Sequence, residues 1–212
     1  MKTVAVLHTA RATVPMITAM IEENYPGVKV WNWLDDSILA MMLEDENSME
    51  YAYEKMLSYA QLARKQGADL IFNACSTMGA FQDYARDKLD IPVLRIDDPV
   101  TDLLCEKYES VGMLATLGTT LGPSAALLQR KKPELKLDYK VVEGAWDAGL
   151  RGDKAAQDAM IAAAVEEYLE TYEAVFLAQA SMAGAAALLP EEKRQRVYTS
   201  PQLAIEALAK YL

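Results

Sequence analysis

One stretch of the sequence combines a strand, a turn and a reactive side chain: Asp69-Leu70-Ile71-Phe72-Asn73-Ala74-Cys75-Ser76-Thr77-Met78-Gly79. Its apolar run, small polar residues and helix-forming continuation predict a strand that turns directly into a helix. Ser76 and Thr77 are good helix caps, so we expect free backbone N–H groups of a first helical turn around Cys75. Such groups favour negative charge, so they would lower the pKa of a thiol and hold a carboxylate. The competing interpretation is a cysteine packed at the end of a buried strand.

Apolar runs alternate with helical periodicities along the whole chain. The predicted strands are Thr3–Leu7, Val28–Trp33, Asp69–Ala74, Pro92–Ile96, Val111–Ala115, Leu137–Val142, Ala174–Gln179 and Val197–Thr199. Helices are predicted between them, including residues 48–66, 77–88, 119–131 and 153–172, and a last helix from residue 201. Strands that alternate with helices predict a parallel α/β architecture. Continuous apolar strands predict sheets that are covered on both faces.

The two halves of the chain resemble one another in sequence. Residues 4–9 pair with residues 111–116, and residues 69–78 pair with residues 173–182 in the same order, with Cys75 opposite Gln179. The repeat predicts two pseudo-symmetric subdomains, residues 1–97 with 201–212 and residues 98–200. Each is expected to hold a roughly four-stranded parallel sheet flanked by helices. Because ligands bind at the carboxyl ends of such strands, we expect the active site in the cleft between the subdomains, with Cys75 facing Gln179.

Composition and charge exclude several classes of function. The formal charge of −10 and the pI of about 4.7 argue against nucleic acid and anionic membrane as partners, which need a basic surface. The sequence shows no apolar run long enough for a membrane span and no signal-peptide pattern. One histidine, His8, excludes a multi-histidine metal site, and Cys75 and Cys105 give neither a disulfide framework nor metal spacing. We expect a reduced, cytoplasmic protein, with a homodimer as one candidate for its oligomeric state.

At these residues the chain resembles the aspartate/glutamate racemase superfamily, which includes hydantoin racemases, arylmalonate decarboxylases and maleate isomerases. The resemblance covers essentially the whole chain and rests on residues 6–9, 73–77, 115–119 and 177–182. It implies a cofactor-independent isomerase that acts on a small carboxylate and needs no metal. In the racemases of this superfamily, two cysteines act on opposite faces of the carbon next to the carboxylate. One thiolate removes the proton and the other thiol delivers a new one.

The resemblance also assigns roles to residues. Cys75 matches the first cysteine, and His8 stands where amino-acid racemases carry an acidic residue that supports it, so both are predicted to be catalytic. Positions that bind the substrate carboxylate in the superfamily match Asn73, Ser76, Thr77, Thr116 and Thr119. The predicted substrate-binding set is completed by Thr9, Gln179 and Ser181.

The departure from the superfamily pattern is Gln179, which stands where the second cysteine is expected. Cys105 lies within a helical stretch away from the strand ends and is predicted to pack in the core. An amide neither takes nor gives a proton near neutral pH, so Gln179 is expected to donate hydrogen bonds to a ligand oxygen instead. Three functions stay open: a racemase or isomerase working through Cys75, a single-cysteine decarboxylase or cis–trans isomerase of a dicarboxylate, and a non-catalytic carboxylate-binding protein.

Overall fold

The computed structural model describes residues 1–212 apart from the side chain of Glu46, and the chain divides into two compact units. Unit 1 is Met1–Ile96 with Pro201–Leu212, and unit 2 is Asp97–Ser200. The first part of unit 1 consists, in order, of β1 (Thr3–His8), α1 (Thr13–Asn24), β2 (Lys29–Leu34), α2 (Asp36–Glu44), a 3-10 turn (Glu46–Ser48), α3 (Met49–Lys65), β3 (Leu70–Asn73), α4 (Phe81–Ala85) and β4 (Val93–Arg95).

Unit 2 repeats this alternation of strands and helices. Its elements are α5 (Asp98–Lys107), β5 (Ser110–Ala115), α6 (Gly118–Lys131), β6 (Lys136–Val141), α7 (Ala145–Leu150), α8 (Lys154–Leu169), β7 (Ala174–Leu177), a 3-10 helix (Ala180–Leu188), α9 (Glu191–Arg194) and β8 (Val197–Thr199). The chain then returns to unit 1 through α10 (Ser200–Ala207) and a short 3-10 helix (Leu208–Lys210). The Tyr25 hydroxyl donates to the Ile205 carbonyl at 2.9 Å, which joins this last segment to the end of α1.

Each unit is built on one four-stranded parallel sheet. The strand orders are β2-β1-β3-β4 and β6-β5-β7-β8, so the first and third strands of each unit lie side by side in the centre. Every residue of β1, β3 and β7 is buried, because helices pack on both faces of the sheets, whereas the edge strands β2 and β6 are partly exposed. The predicted fold class, with two four-stranded parallel sheets flanked by helices, is confirmed.

The internal repeat extends to individual hydrogen bonds. At the amino ends of the sheets, the Asp69 carboxylate accepts the Thr3 N–H, and the Glu173 carboxylate accepts the Ser110 N–H, both at 2.8 Å. At the carboxyl ends, the N–H of Ala74 donates to β1 at 3.0 Å, and the N–H of Ala178 donates to β5 at 2.9 Å. The two sheets therefore present their strand ends in the same local geometry.

The main error of the sequence prediction concerns the segment after Cys75. Residues 76–80 form a bend and turns, and α4 is confined to Phe81–Ala85, so the helix predicted over residues 77–88 is too long at both ends. The Asn73 side chain explains the difference, because it accepts the Cys75 N–H at 3.1 Å and donates to the Met78 carbonyl at 2.8 Å. A side chain that takes up backbone groups in this way competes with helix formation. Ser76 and Thr77 therefore cap no α-helix, and the segment after Gln179, Ala180–Leu188, is a 3-10 helix.

Among the described residues, no helix combines the length and the apolar character that crossing a membrane requires.

Candidate active site

Cys75 lies at the carboxyl edge of the unit 1 sheet, just after β3. The hydroxyl of Thr9, the residue that follows β1, donates to its Sγ atom at 2.8 Å. Thr9 is only 4% exposed, and Cys75 is half-buried. A hydrogen bond donated to sulfur favours the thiolate over the thiol, and burial of the donor limits competition from water. The residues that follow the two central strands, β1 and β3, are thus joined by a hydrogen bond to the sulfur atom.

Asn73, Ser76 and Thr77 surround this position. Asn73 is fully buried at the end of β3, and its amide bridges the backbone of residues 75 and 78 as described above. Ser76 and Thr77 lie in the turn that follows and are 7% and 4% exposed. These three residues therefore belong to the same strand end as Cys75.

His8 is the last residue of β1 and is 2% exposed. Its Nδ1 atom lies 2.8 Å from the Thr13 hydroxyl, and its Nε2 atom lies 2.9 Å from the Asn32 side-chain oxygen. Burial lowers the pKa of His8, and the hydrogen bond with Asn32 opposes that shift only in part. Successive side chains of a strand point to opposite faces, so His8 bonds to α1 and β2 whereas Thr9 reaches the sulfur. The catalytic role of His8 stays a prediction.

Thr116 and Gln179 form the corresponding pair at the carboxyl edge of the unit 2 sheet. The Gln179 Oε1 atom accepts the Thr116 N–H at 2.5 Å and the Thr116 hydroxyl at 2.9 Å. A backbone N–H can only donate, so the amide oxygen must be the atom that faces Thr116. The Gln179 Nε2 group therefore takes no part in the two hydrogen bonds with Thr116.

Thr119 and Ser181 lie at the same two strand ends of unit 2. Thr119 is in the first turn of α6, and its hydroxyl oxygen is buried without a hydrogen-bond partner among the residues that the structure describes. A buried hydroxyl without a partner costs free energy, so a ligand that accepts from it would relieve that cost. Ser181 is half-buried in the 3-10 helix that follows Gln179.

The predicted site residues thus form two sets, one at each sheet edge. The unit 1 set is His8, Thr9, Asn73, Cys75, Ser76 and Thr77, and the unit 2 set is Thr116, Thr119, Gln179 and Ser181. That both sets bind one substrate stays a prediction. Within the described part of the chain, no three His, Cys, Asp or Glu side chains are grouped to hold a metal ion.

A family model described as Asp/Glu/hydantoin racemase matches residues 7–208 of the sequence. The chain belongs to the Asp/Glu/hydantoin racemase family. Racemases are isomerases, so the predictions of family and enzyme class are confirmed. Membership of this family assigns to the chain racemase- or isomerase-type activity on a small carboxylate. No curated protein matched the sequence.

Solved structures of racemases share the fold of this racemase-family chain. Glutamate racemase from Francisella tularensis in complex with D-glutamate has a TM-score of 0.76 at 16% identity, over 99% of this chain and 80% of that one. Aspartate racemase from Picrophilus torridus has 0.74 at 16% identity, over 99% and 94%. Allantoin racemase from Klebsiella pneumoniae has 0.73 at 18% identity, over 99% and 87%. At these identities the likeness shows the fold alone.

Two features of this racemase-family chain near Cys75 were missed from the sequence. Arg95 ends β4 and is 3% exposed, and its Cα atom is the register partner of Asn73. Tyr53 projects from α3 into the same apolar cluster as Cys75. The sequence does show a charged residue, Arg95, inside the apolar run of residues 92–96. Sequence patterns alone would place such a charged residue on the surface.

The second cysteine has a different environment. Cys105 lies in α5, with Sγ 3.7 Å from the Leu128 carbonyl oxygen. Burial raises the pKa of Cys105, with a partial opposing effect from Lys131 and Lys132. A thiol with a raised pKa is a poor nucleophile near neutral pH, which fits the predicted packing role.

Proposed function

We propose that this family member is a cofactor-independent isomerase that acts on a small carboxylate, an amino acid or a related acid, through the thiolate of Cys75. The observation that carries the proposal is the hydrogen bond from Thr9 to Cys75 at 2.8 Å. It stabilises negative charge on sulfur at the position that matches the first cysteine of the superfamily. The thiolate is the form that can take a proton from carbon.

The substrate carboxylate would be held by hydroxyl and amide groups at the strand ends. Ser76 and Thr77 supply hydroxyls beside Cys75, and Thr119 supplies a hydroxyl in unit 2, where the Thr116 hydroxyl already donates to Gln179. When a proton leaves the neighbouring carbon, negative charge builds on the carboxylate oxygens, and fixed donors stabilise that charge. The buried hydroxyl of Thr119, without a partner in the described residues, is suited to this role.

Gln179 supports a second candidate function. Its oxygen is occupied by two donors of Thr116, so we propose that its Nε2 group donates to a ligand oxygen. An amide neither takes nor gives a proton as an acid or base near neutral pH, so Cys75 would act as the only thiol. Single-cysteine decarboxylation with protonation from one side, or cis–trans isomerisation of a dicarboxylate, needs no second thiol.

Two matched cysteine variants test the proposal. A panel of amino acids, hydantoins, malonates and maleate is incubated in deuterated water and followed by proton NMR, which detects exchange, decarboxylation and isomerisation. Cys75→Ser should lose nearly all turnover, because a hydroxyl of far higher pKa replaces the thiolate. Cys105→Ser should turn over at the rate of the parent. Retention of more than about a tenth of the activity by Cys75→Ser, a loss below about 1.4 kcal/mol, would show that Cys75 does not carry the chemistry.

A further inference from the structure

Arg95 is a buried cation in an acidic protein. The chain has a formal charge of −10, yet Arg95, at the carboxyl end of β4, is 3% exposed. Burying a charge is costly unless its surroundings use it. Its position next to β3, in register with Asn73, places it at the same sheet edge as the candidate active site.

The guanidinium of Arg95 packs directly on Gly79, the last residue of the segment 75–79, here called the Cys75 loop. A Cβ atom built on Gly79 would lie 2.2 Å from Arg95 Cζ and 2.4 Å from Nε, far inside contact distance. Only a glycine admits the guanidinium at this point of the backbone. Asn73 binds the same loop through the Cys75 N–H and the Met78 carbonyl. The loop that carries the thiol is therefore held by two buried side chains.

Tyr53 lies within electrostatic range of both Arg95 and Cys75. Burial raises the pKa of Tyr53, the charge of Arg95 lowers it, and Asp83 and Cys75 raise it. The charges of Arg95 and Cys75 both lie close enough to the Tyr53 hydroxyl to affect its pKa, in opposite directions.

The cations that follow α4 are more accessible to solvent than Arg95. The Tyr53 ring packs against Tyr84 at 5.3 Å between centroids, and Lys88 lies over Tyr84 at 3.1 Å from its ring centroid. Asp83 is paired with Arg86, and both Arg86 and Lys88 are exposed, so water and salt screen their charges. Arg95 is always protonated and shielded from water, so its charge acts more strongly on its neighbours.

We propose that Arg95 is a positioning residue that holds the Cys75 loop through Gly79 and whose buried charge stabilises the Cys75 thiolate. The inference rests on the proposed function, in which Cys75 works as a thiolate. It predicts that the positive charge of residue 95 and the absence of a side chain at residue 79 both increase the reactivity of the Cys75 thiol.

The test measures the thiol itself and needs no turnover. In a Cys105→Ser background, the rate of alkylation of Cys75 by iodoacetamide is recorded against pH. Arg95→Gln removes the charge, and we expect the midpoint to rise by about one pH unit, so that alkylation below the midpoint slows about tenfold. Arg95→Lys keeps the charge and should hold the midpoint close to that of the parent. Gly79→Ala displaces the guanidinium and should slow alkylation by an intermediate factor.

Arg196→Gln is the matched control. Its guanidinium donates to the carbonyls of Leu169, Tyr172 and Glu173 in unit 2, so the variant loses three partly exposed arginine hydrogen bonds far from the Cys75 loop in sequence. We expect its thermal stability to fall and the alkylation profile of Cys75 to stay unchanged. A shift with Arg196→Gln equal to that with Arg95→Gln would overturn the proposal, since general loosening would then explain both.

The remaining outcomes also decide the matter. An unchanged midpoint in folded Arg95→Gln, or an equal shift in Arg95→Lys, would show that the charge has no part in the reactivity. Should Arg95→Gln fail to fold, slowed alkylation in Gly79→Ala with a parental profile in Arg95→Lys supports the proposal, and a parental profile in Gly79→Ala overturns it. If Cys75→Ser retained turnover, the proposed function would fail, whereas the effect of Arg95 on the thiol would stand on its own measurement.

Discussion

Replacing Thr9 by valine removes the hydroxyl that donates to Cys75 and leaves a side chain of nearly the same shape. The hydrogen bond is 2.8 Å long, and Thr9 is 4% exposed, so water has little access to replace the lost donor. A hydrogen bond to a charged acceptor is worth about 1.5–3 kcal/mol. Because about 1.4 kcal/mol corresponds to one pKa unit, we expect the titration midpoint of Cys75 to rise by about one to two pH units.

The pH dependence of alkylation in the Cys105→Ser background measures this midpoint directly. Below the midpoint, Thr9→Val should react about 10- to 100-fold more slowly than the parent, because the reactive thiolate fraction falls by that factor. The control is Thr116→Val, which breaks the equivalent hydroxyl bond to Gln179 in unit 2. An unchanged midpoint in Thr9→Val, or an equal shift in Thr116→Val, would refute the reasoning.

Gln179→Cys should create or strengthen racemisation, because it restores a thiol at the position of the expected second cysteine; loss of optical rotation and deuterium uptake by both enantiomers measure it. Rapid exchange of both enantiomers by the unmodified protein would contradict the single-thiol argument. The pKa of buried His8 is lowered in the folded state, so its protonation favours unfolding: the free energy of unfolding should be highest above about pH 6.5 and fall as the pH drops toward the folded pKa. In denaturant titrations, His8→Gln should show a smaller decrease of the free energy of unfolding toward low pH. A decrease as steep as that of the parent would count against this role of His8. Burial raises the pKa of Asp35, but hydrogen bonds from Lys55, Ser37 and Tyr59 outweigh burial and bring the pKa to about 2. Its stabilising contribution should be present above about pH 4 and be lost toward pH 2, so Asp35→Asn should remove that part of the acid-unfolding curve; an acid curve identical to that of the parent would argue against the assignment.

The fold was accessible from the sequence because its signals are local. Buried parallel strands give continuous apolar runs such as residues 3–7 and 174–177, and the repeat of residues 69–78 in residues 173–182 marks equivalent positions in the two sheets. The prediction for the segment after Cys75 failed because the signals there are not local. Its turns depend on the Asn73 side chain and on the packing of Arg95 against Gly79, and local propensity contains neither contact.

Which side chains meet at the strand ends was only partly predictable. The sequence places Thr9, Cys75, Thr116 and Gln179 at the carboxyl ends of predicted strands, and the structure pairs the first two and the last two. His8 was expected to support Cys75, but its described ring contacts go to α1 and β2, since adjacent strand residues point to opposite faces. The sequence gives no information on which face the sulfur occupies.

The two threonine pairs also explain how a glutamine fits at the position opposite Cys75 in the repeat. In unit 1 the hydroxyl after the first strand donates to sulfur, and in unit 2 the equivalent hydroxyl donates to an amide oxygen at 2.9 Å. Both the cysteine sulfur and the glutamine oxygen accept a hydrogen bond from the threonine that follows the first strand of their unit. They differ in that the sulfur can ionise and the amide cannot. We therefore expect the reaction, more than the fold, to depend on position 179, with proton transfer assigned to the unit 1 thiol and hydrogen-bond donation to Gln179.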